Sequence, residues 1–184
     1  MCIFCDILRR YFLAQSPDHQ LALLSDDNQT ATRFILNEGL RLLPPVLQMQ
    51  RTSLVPCHVG SLSCPFNTSL VVDILAMHRS QQHWGVDADD FNPNRWLNIA
   101  ASRCSVDAAE GGSQGASLAD MWMPFGAGSK SCIGQSLALQ VVGSMITCFI
   151  RAFHVTLVHG YVMQFAQTPT LRITNGLHLH LRRR

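Results

Sequence analysis

Apolar positions recur at helical spacing in two well-defined stretches of the chain. Between 31 and 43, Phe34, Ile35, Leu36, Leu40, Leu42 and Leu43 supply one apolar face, and Pro44-Pro45 cannot continue the turn that carries them. This pattern predicts a helix over 31–43. A second pattern, from about 134 to 153, predicts the longest helix. Residues 131–150 carry no charge, a run long enough to span a bilayer. Gln135, Ser136, Gln140, Ser144 and Thr147 interrupt that run every few residues, so a buried amphipathic helix is expected rather than a membrane span. Residues 7–24 also read as helical, with a break at Ser16-Pro17-Asp18.

Other segments alternate faster. Residues 46–76 mix short apolar runs with turn residues, as in Val59-Gly60-Ser61 and Cys64-Pro65-Phe66-Asn67, and predict short strands and hairpins. Residues 83–98 are rich in Asp, Asn, Pro and aromatics and read as an ordered loop. Residues 101–119 are mostly Ala, Ser and Gly with little to pack, which predicts a flexible surface loop. A glycine-punctuated loop over 122–134 leads into the long helix. In the tail, Leu171 to Thr174 and Leu177 to Leu181 flank Asn175-Gly176, the signature of a hairpin with a type I′ turn. Leu177, Leu179 and Leu181 would then face inward, and His178 and His180 outward. The fold class that follows is mainly α with small antiparallel β-sheets, without internal repeats.

Composition narrows the function classes. With 184 residues, 47% of them hydrophobic and 14% charged, the chain can build a core and is not of the disordered type. A net charge of +2 gives no nucleic-acid-binding character. The charge is nevertheless skewed: residues 1–120 hold all 12 acids, whereas 121–184 hold Lys130 and five arginines and no acid. That last third is suited to an anionic ligand or partner. Seven cysteines at irregular spacing argue against a secreted disulfide scaffold, and most are expected to be free thiols. Cys57, Cys64, Cys104 and Cys148 read as small buried or loop residues. The first residues lack the basic, apolar and small-residue order of a signal peptide.

Candidate chemistry centres on Cys132, in Phe125-Gly126-Ala127-Gly128-Ser129-Lys130-Ser131-Cys132-Ile133-Gly134. Three glycines allow tight turns and close approach of backbone to a flat partner. A cysteine just before a helix meets the positive end of that helix, and Lys130 adds charge, an arrangement suited to a thiolate metal ligand; taken alone, the same pattern also reads as a plain glycine-rich turn with a buried thiol. Glu38 and Arg41 lie at i, i+3 on one helix with apolar flanks, so their pair is expected to be buried and to need a further partner. Arg95, in Phe91-Asn92-Pro93-Asn94-Arg95-Trp96, is the candidate third member.

In this order, these elements resemble the cytochrome P-450 family of haem-thiolate monooxygenases. Glu38-Gly-Leu-Arg41 resembles its Glu-x-x-Arg helix. Met77-His78-Arg79, Trp84-Gly85 and Phe91 to Trp96 resemble the segment that supplies the second arginine. Phe125 to Gly134 resembles the haem-binding loop, Phe-x-x-Gly-x-x-x-Cys-x-Gly. The resemblance covers about 31–181 and looks plant-like, leaving 1–30 as a divergent segment. It implies the C-terminal part of the cytochrome P-450 fold without the N-terminal half. It implies Cys132 as proximal ligand of haem b iron, with Phe125 beside the sulfur and Gly126, Gly128 and Gly134 allowing close approach. Lys130 stands where the family places an arginine or histidine against a haem propionate. Glu38, Arg41 and Arg95 would form a structural ion triad.

The same resemblance implies electrons from an NADPH-dependent reductase, a small lipophilic substrate and, for a full-length plant relative, the endoplasmic reticulum membrane. The family's oxygen-activating helix pairs an acid or amide with a threonine. Ser25 to Thr30 is superficially similar, but Thr30 lies too close to Glu38 for that layout. Leu13 to Gln20 resembles the helix that follows the oxygen-activating one, so no catalytic residue of that step is identified. The alternative reading is a truncated, non-catalytic product with weak or no haem binding. Cys2-x-x-Cys5 is half of a zinc pattern and has no second pair at metal spacing. The start, Met1 to Asp6, resembles histidine-triad nucleotide hydrolases, yet His178-Leu-His180-Leu is followed by Arg182 and lacks the third histidine. His19, His58, His78, His83, His154 and His159 read as surface or satisfied polar groups.

Overall fold

Residues 29–97, 99, 121–167 and 170–184 are described by a computed structural model of the chain. The expected helix over 7–24, the loop over 101–119 and the residues Cys2, Cys5 and Cys104 lie outside the described residues.

Helix α1 (Gln29–Leu42) turns its apolar stripe fully inward, with Ile35, Leu36, Leu40 and Leu42 all buried. It ends before Pro44-Pro45, and Leu43 N–H still reaches Gly39 O at 2.9 Å. Strands β1 (Gln48–Thr52) and β4 (Ser69–Asp73) pair antiparallel, Gln48 opposite Asp73 and Thr52 opposite Ser69. Between them, β2 (Cys57–Val59) and β3 (Leu62–Cys64) form a hairpin closed at Gly60-Ser61. Asp73 then accepts from Ala76 N–H at 2.9 Å and caps the short helix α2 (Ile74–His78), which is followed by α3 (Gln81–Trp84). The region 83–98 is therefore not only loop: it starts in α3 and Arg95 to Leu97 are helical again. Trp84, Ala88 and Trp96 close over each other there as a second, small core.

The long helix α4 (Gln135–Ala152) starts two residues after Ile133 and runs directly into β5 (Phe153–Leu157). Val142, Ile146 and Ile150 repeat at i, i+4 and i+8 and meet Ile35, Leu36 and Leu40 of α1, with Val155 of β5 completing the main core. Burying each of these side chains stabilises the packed state by about 1.5–3 kcal/mol. The expectation of a buried helix holds for that stripe alone. Leu137 and Val141 are exposed, as is Cys148. By length and composition α4 is also apolar enough to cross a membrane.

Gly143 sets the distance between the two helices. A Cβ there would stand 3.3 Å from Thr32 Cγ2 and 3.5 Å from Leu36 Cδ1. Gly143→Ala is expected to be nearly neutral, since about 1 kcal/mol of helix propensity offsets the tight contact. Gly143→Leu overfills the seam and is expected to cost about 1–3 kcal/mol in urea unfolding. Equal midpoints for the two variants would contradict this packing.

The tail corrects the sequence expectation. β7 (Leu171–Ile173) pairs with β6 (Phe165–Gln167), and β8 (Leu179–Arg183) pairs with β5, so the two segments flanking Asn175-Gly176 are not partners. A type I′ turn needs positive φ at both central residues, and among described non-glycine residues only Asn67 has it. Asn175 serves another purpose: its amide donates to Val162 O at 2.9 Å and its oxygen accepts from Gln164 N–H and Tyr161 Oη at 3.0 Å. Leu177 and Leu179 are half-buried and His178 and His180 exposed, as expected, but Leu181 is 49% exposed.

Candidate functional site

Glu38 and Arg41 face the second core from one turn of α1. Both side chains are fully buried, and the guanidinium meets the carboxylate through two bonds, Nε to Oε2 at 3.0 Å and Nη2 to Oε1 at 2.8 Å. Arg95 closes the triad from the aromatic segment, Nε to Glu38 Oε1 at 2.9 Å. Asn92 N–H and Trp96 Nε1–H also donate to Glu38, each at 3.0 Å. Five donors thus surround one carboxylate, which satisfies the condition for keeping a charge in the interior. Arg41 spends its remaining donors on carbonyls, reaching His78 O at 2.7 Å and Asp90 O at 3.1 Å, and lies 5.1 Å from the Trp84 ring centre. Arg95 reaches Trp84 O at 3.1 Å and Asp87 Oδ2 at 3.0 Å. The Asp87 carboxyl is held below its ordinary value, first by the Asn92 amide and then by Arg95.

His78 connects this triad to the glycine loop. Its Nε2 accepts from Met123 N–H at 3.0 Å, which requires the proton on Nδ1, and Nδ1 donates to Arg41 O at 3.2 Å. The ring is fully buried, and burial pushes its pKa down to about 4. Trp122 adds a second link, Nε1–H to Asn37 O at 3.1 Å. Trp84, Trp96, Trp122 and Phe125 follow one another with ring centres 5.9, 5.4 and 6.5 Å apart. The polar pattern of 83–98 pointed to a loop, but these aromatic spacings and the role of His78 escape a sequence reading, because they arise only across elements.

Beyond Met123 the chain folds back on itself. Cys132 N–H donates to Phe125 O at 2.9 Å, and Gly128–Lys130 form one short 3-10 turn inside that closure. Gly126 and Gly128 both have φ of +73°, a conformation that side-chain-bearing residues avoid. A Cβ at Gly126 would also stand 3.5 Å from Met49 Sδ, and one at Gly134 would lie 3.9 Å from Cys132 Sγ. Cys132 and Lys130 are exposed, and among the described residues no hydrogen bond reaches the Cys132 sulfur. Phe125 packs against Trp122 and the main core. The loop therefore presents a soft sulfur donor on a surface kept bare by glycine, with one nearby ammonium. That set fits a flat, anionic, iron-bearing ligand. No group of three or more metal-ligating side chains occurs among the described residues.

A family model described as Cytochrome P-450 matches residues 27–178. The chain belongs to the cytochrome P-450 family. Its relatives include plant P-450 proteins: Cytochrome P-450 714C3 of Oryza sativa subsp. japonica is 37% identical over 77% of this chain and 24% of its own length. A cytokinin hydroxylase of Arabidopsis thaliana is 33% identical over 72% of this chain and 23% of its own. The chain thus spans about a quarter of the length of these P-450 relatives. In fold, it resembles the crystal structure of a mutant cytochrome P-450 haem domain, with a TM-score of 0.77 at 20% identity, over 98% of this chain and 40% of that one. The small antiparallel sheets and few helices described above are accordingly a portion of the P-450 fold.

Proposed function

We propose that the chain carries the haem-thiolate portion of a monooxygenase, with Cys132 as the proximal ligand of haem b. The observation that carries this reading is the exposed Cys132 sulfur at the end of a loop closed by its own N–H on Phe125 O. Bound there, the cofactor supplies iron-centred activation of O₂, favoured by electron donation from the thiolate. The protein's part is positional. Gly126, Gly128 and Gly134 leave room for a planar ligand, Lys130 offers an ionic contact to a propionate, and Phe125 limits water near the sulfur. Glu38, Arg41 and Arg95 hold the preceding segment in place and touch no reacting atom.

Oxygen would enter a small lipophilic substrate, in keeping with the word hydroxylase in the name of a relative. Electrons would come from an NADPH-dependent reductase. The acid-free stretch over 121–184 favours an acidic partner of that kind. The endoplasmic reticulum membrane is the location proposed for the whole enzyme. The test loads the expressed chain with haemin, reduces it and adds carbon monoxide. A thiolate-ligated spectrum is expected, absent in Cys132→Ser and retained in Cys148→Ser, the other exposed thiol described. No such spectrum, or one unchanged in Cys132→Ser, overturns the assignment.

A further inference from the structure

The hairpin β2–β3 brings two cysteines face to face. Cys57 and Cys64 are register partners at its open end, and both are free thiols. Residues directly opposite in an antiparallel pair have Cα atoms roughly 4.5–5.5 Å apart, inside the roughly 4.4–6.8 Å window that a disulfide accepts. The two-residue turn makes Val59–Leu62 a hydrogen-bonded pair and, by alternation, Cys57–Cys64 another, so their Cβ atoms stand toward the upper end of roughly 4.5–5.5 Å, about 1 Å beyond the disulfide range of roughly 3.5–4.5 Å. Closing the bond therefore requires the two strand ends to draw together, which strains the bond and favours its reduction. The two thiols differ in access: Cys57 is half-exposed, whereas Cys64 is 5% exposed. The exposed thiols Cys132 and Cys148 lie outside any described strand and have no such opposite cysteine.

We propose that Cys57 and Cys64 are a reversible redox modification site, forming a cross-strand disulfide with a low-molecular-weight disulfide such as oxidised glutathione as oxidant. The Cys57 thiolate attacks one glutathione sulfur and releases the other as a thiol. The Cys64 sulfur then attacks Cys57 in the mixed disulfide, forms the intrachain S–S bond and releases the second glutathione. The two protein thiols lose two electrons and two protons, and one oxidised glutathione becomes two reduced ones. The bond staples the hairpin next to Pro65, whose carbonyl already accepts from Ser53 Oγ at 2.7 Å and ties the hairpin base to the end of β1.

Both cysteines fall in one tryptic peptide, Thr52 to Arg79. The full chain is equilibrated with glutathione buffers, quenched in acid, alkylated and mapped by mass spectrometry. The expected product is this peptide lacking two hydrogens and both alkyl groups. Cys64→Ser is expected to accumulate glutathione on Cys57, whereas Cys57→Ser leaves Cys64 largely unmodified. The effective concentration of the pair is expected to be ~10-fold or more higher in native buffer than in concentrated urea. Alkylation of both cysteines after oxidation, pairing of either with another cysteine, or equal effective concentrations in the two solvents would each overturn the proposal.

Discussion

Replacing Glu38 by glutamine is expected to destabilise the chain by about 3–5 kcal/mol, the cost of leaving a buried charge without its partner. The amide retains one oxygen, but its nitrogen is a donor placed among donors. Arg41 contributes two bonds to the carboxylate, and Arg95, Asn92 N–H and Trp96 Nε1 contribute one each. Whichever way the amide turns, at least one N–H meets another N–H, and two guanidinium groups lose the negative charge that held them inside. Against a total stability of about 5–15 kcal/mol for an ordinary domain, the loss is large enough to populate the unfolded chain. Arg33→Ala, at an exposed position of the same helix, is expected to stay within about 0.5 kcal/mol of the parent. Urea unfolding followed by tryptophan fluorescence compares the three proteins. Coincident curves for Glu38→Gln and the parent would mean that the carboxylate does not hold the two arginines together.

The triad was legible in the sequence for a physical reason. Glu38 and Arg41 share a helical face by spacing alone, their neighbours are apolar, and a buried pair requires a further partner. Arg95 was the one cation on a rigid, aromatic segment downstream. The two backbone-level contributors, Asn92 N–H and the Trp96 indole, were not legible, because nothing in residue order tells which donor of a loop turns inward. The glycine loop before Cys132 is legible as a turn leading into a helix, since positive-φ positions are written as glycine. The tail shows where local signals lose. Asn175-Gly176 has strong turn chemistry, yet the best strand partner for Leu179 to Arg183 is Phe153 to Leu157, more than twenty positions away. Once Asn175 bonds Val162 and Gln164, it is no longer available for a two-residue turn. Likewise, the period of α4 predicted an apolar stripe correctly, but only the packing against α1 decides which residues of that stripe are covered.

His78 should make the stability of the chain fall by about 3 kcal/mol between pH 6.5 and pH 4, through a proton that the folded state refuses. In the unfolded chain the imidazole takes up a proton near its ordinary value of 6.5, whereas in the fold burial holds it neutral to about 4. Above pH 6.5 both states are neutral and the contribution is complete. As the pH falls below 6.5 only the unfolded chain gains the proton, so stability is lost until the folded pKa is passed. The geometry explains why charging is costly. Nε2 must accept from Met123 N–H, which a protonated ring cannot do, and the Arg41 guanidinium already donates to His78 O at 2.7 Å. Asp87 acts in a different window: its carboxyl is depressed, so its contribution is lost only below 3.8. His78→Gln removes the titration while leaving groups that can donate and accept at the same place. Its stability should therefore be lower than the parent's at pH 7 but nearly flat down to pH 4.5, so that the two profiles converge in acid. Amide exchange at Met123 adds a local readout, expected to accelerate in the parent over the same pH interval after correction for intrinsic exchange. Parallel stability profiles for parent and variant would place the acid sensitivity elsewhere and remove His78 as the buried link between the ion triad and the segment entering the Cys132 loop.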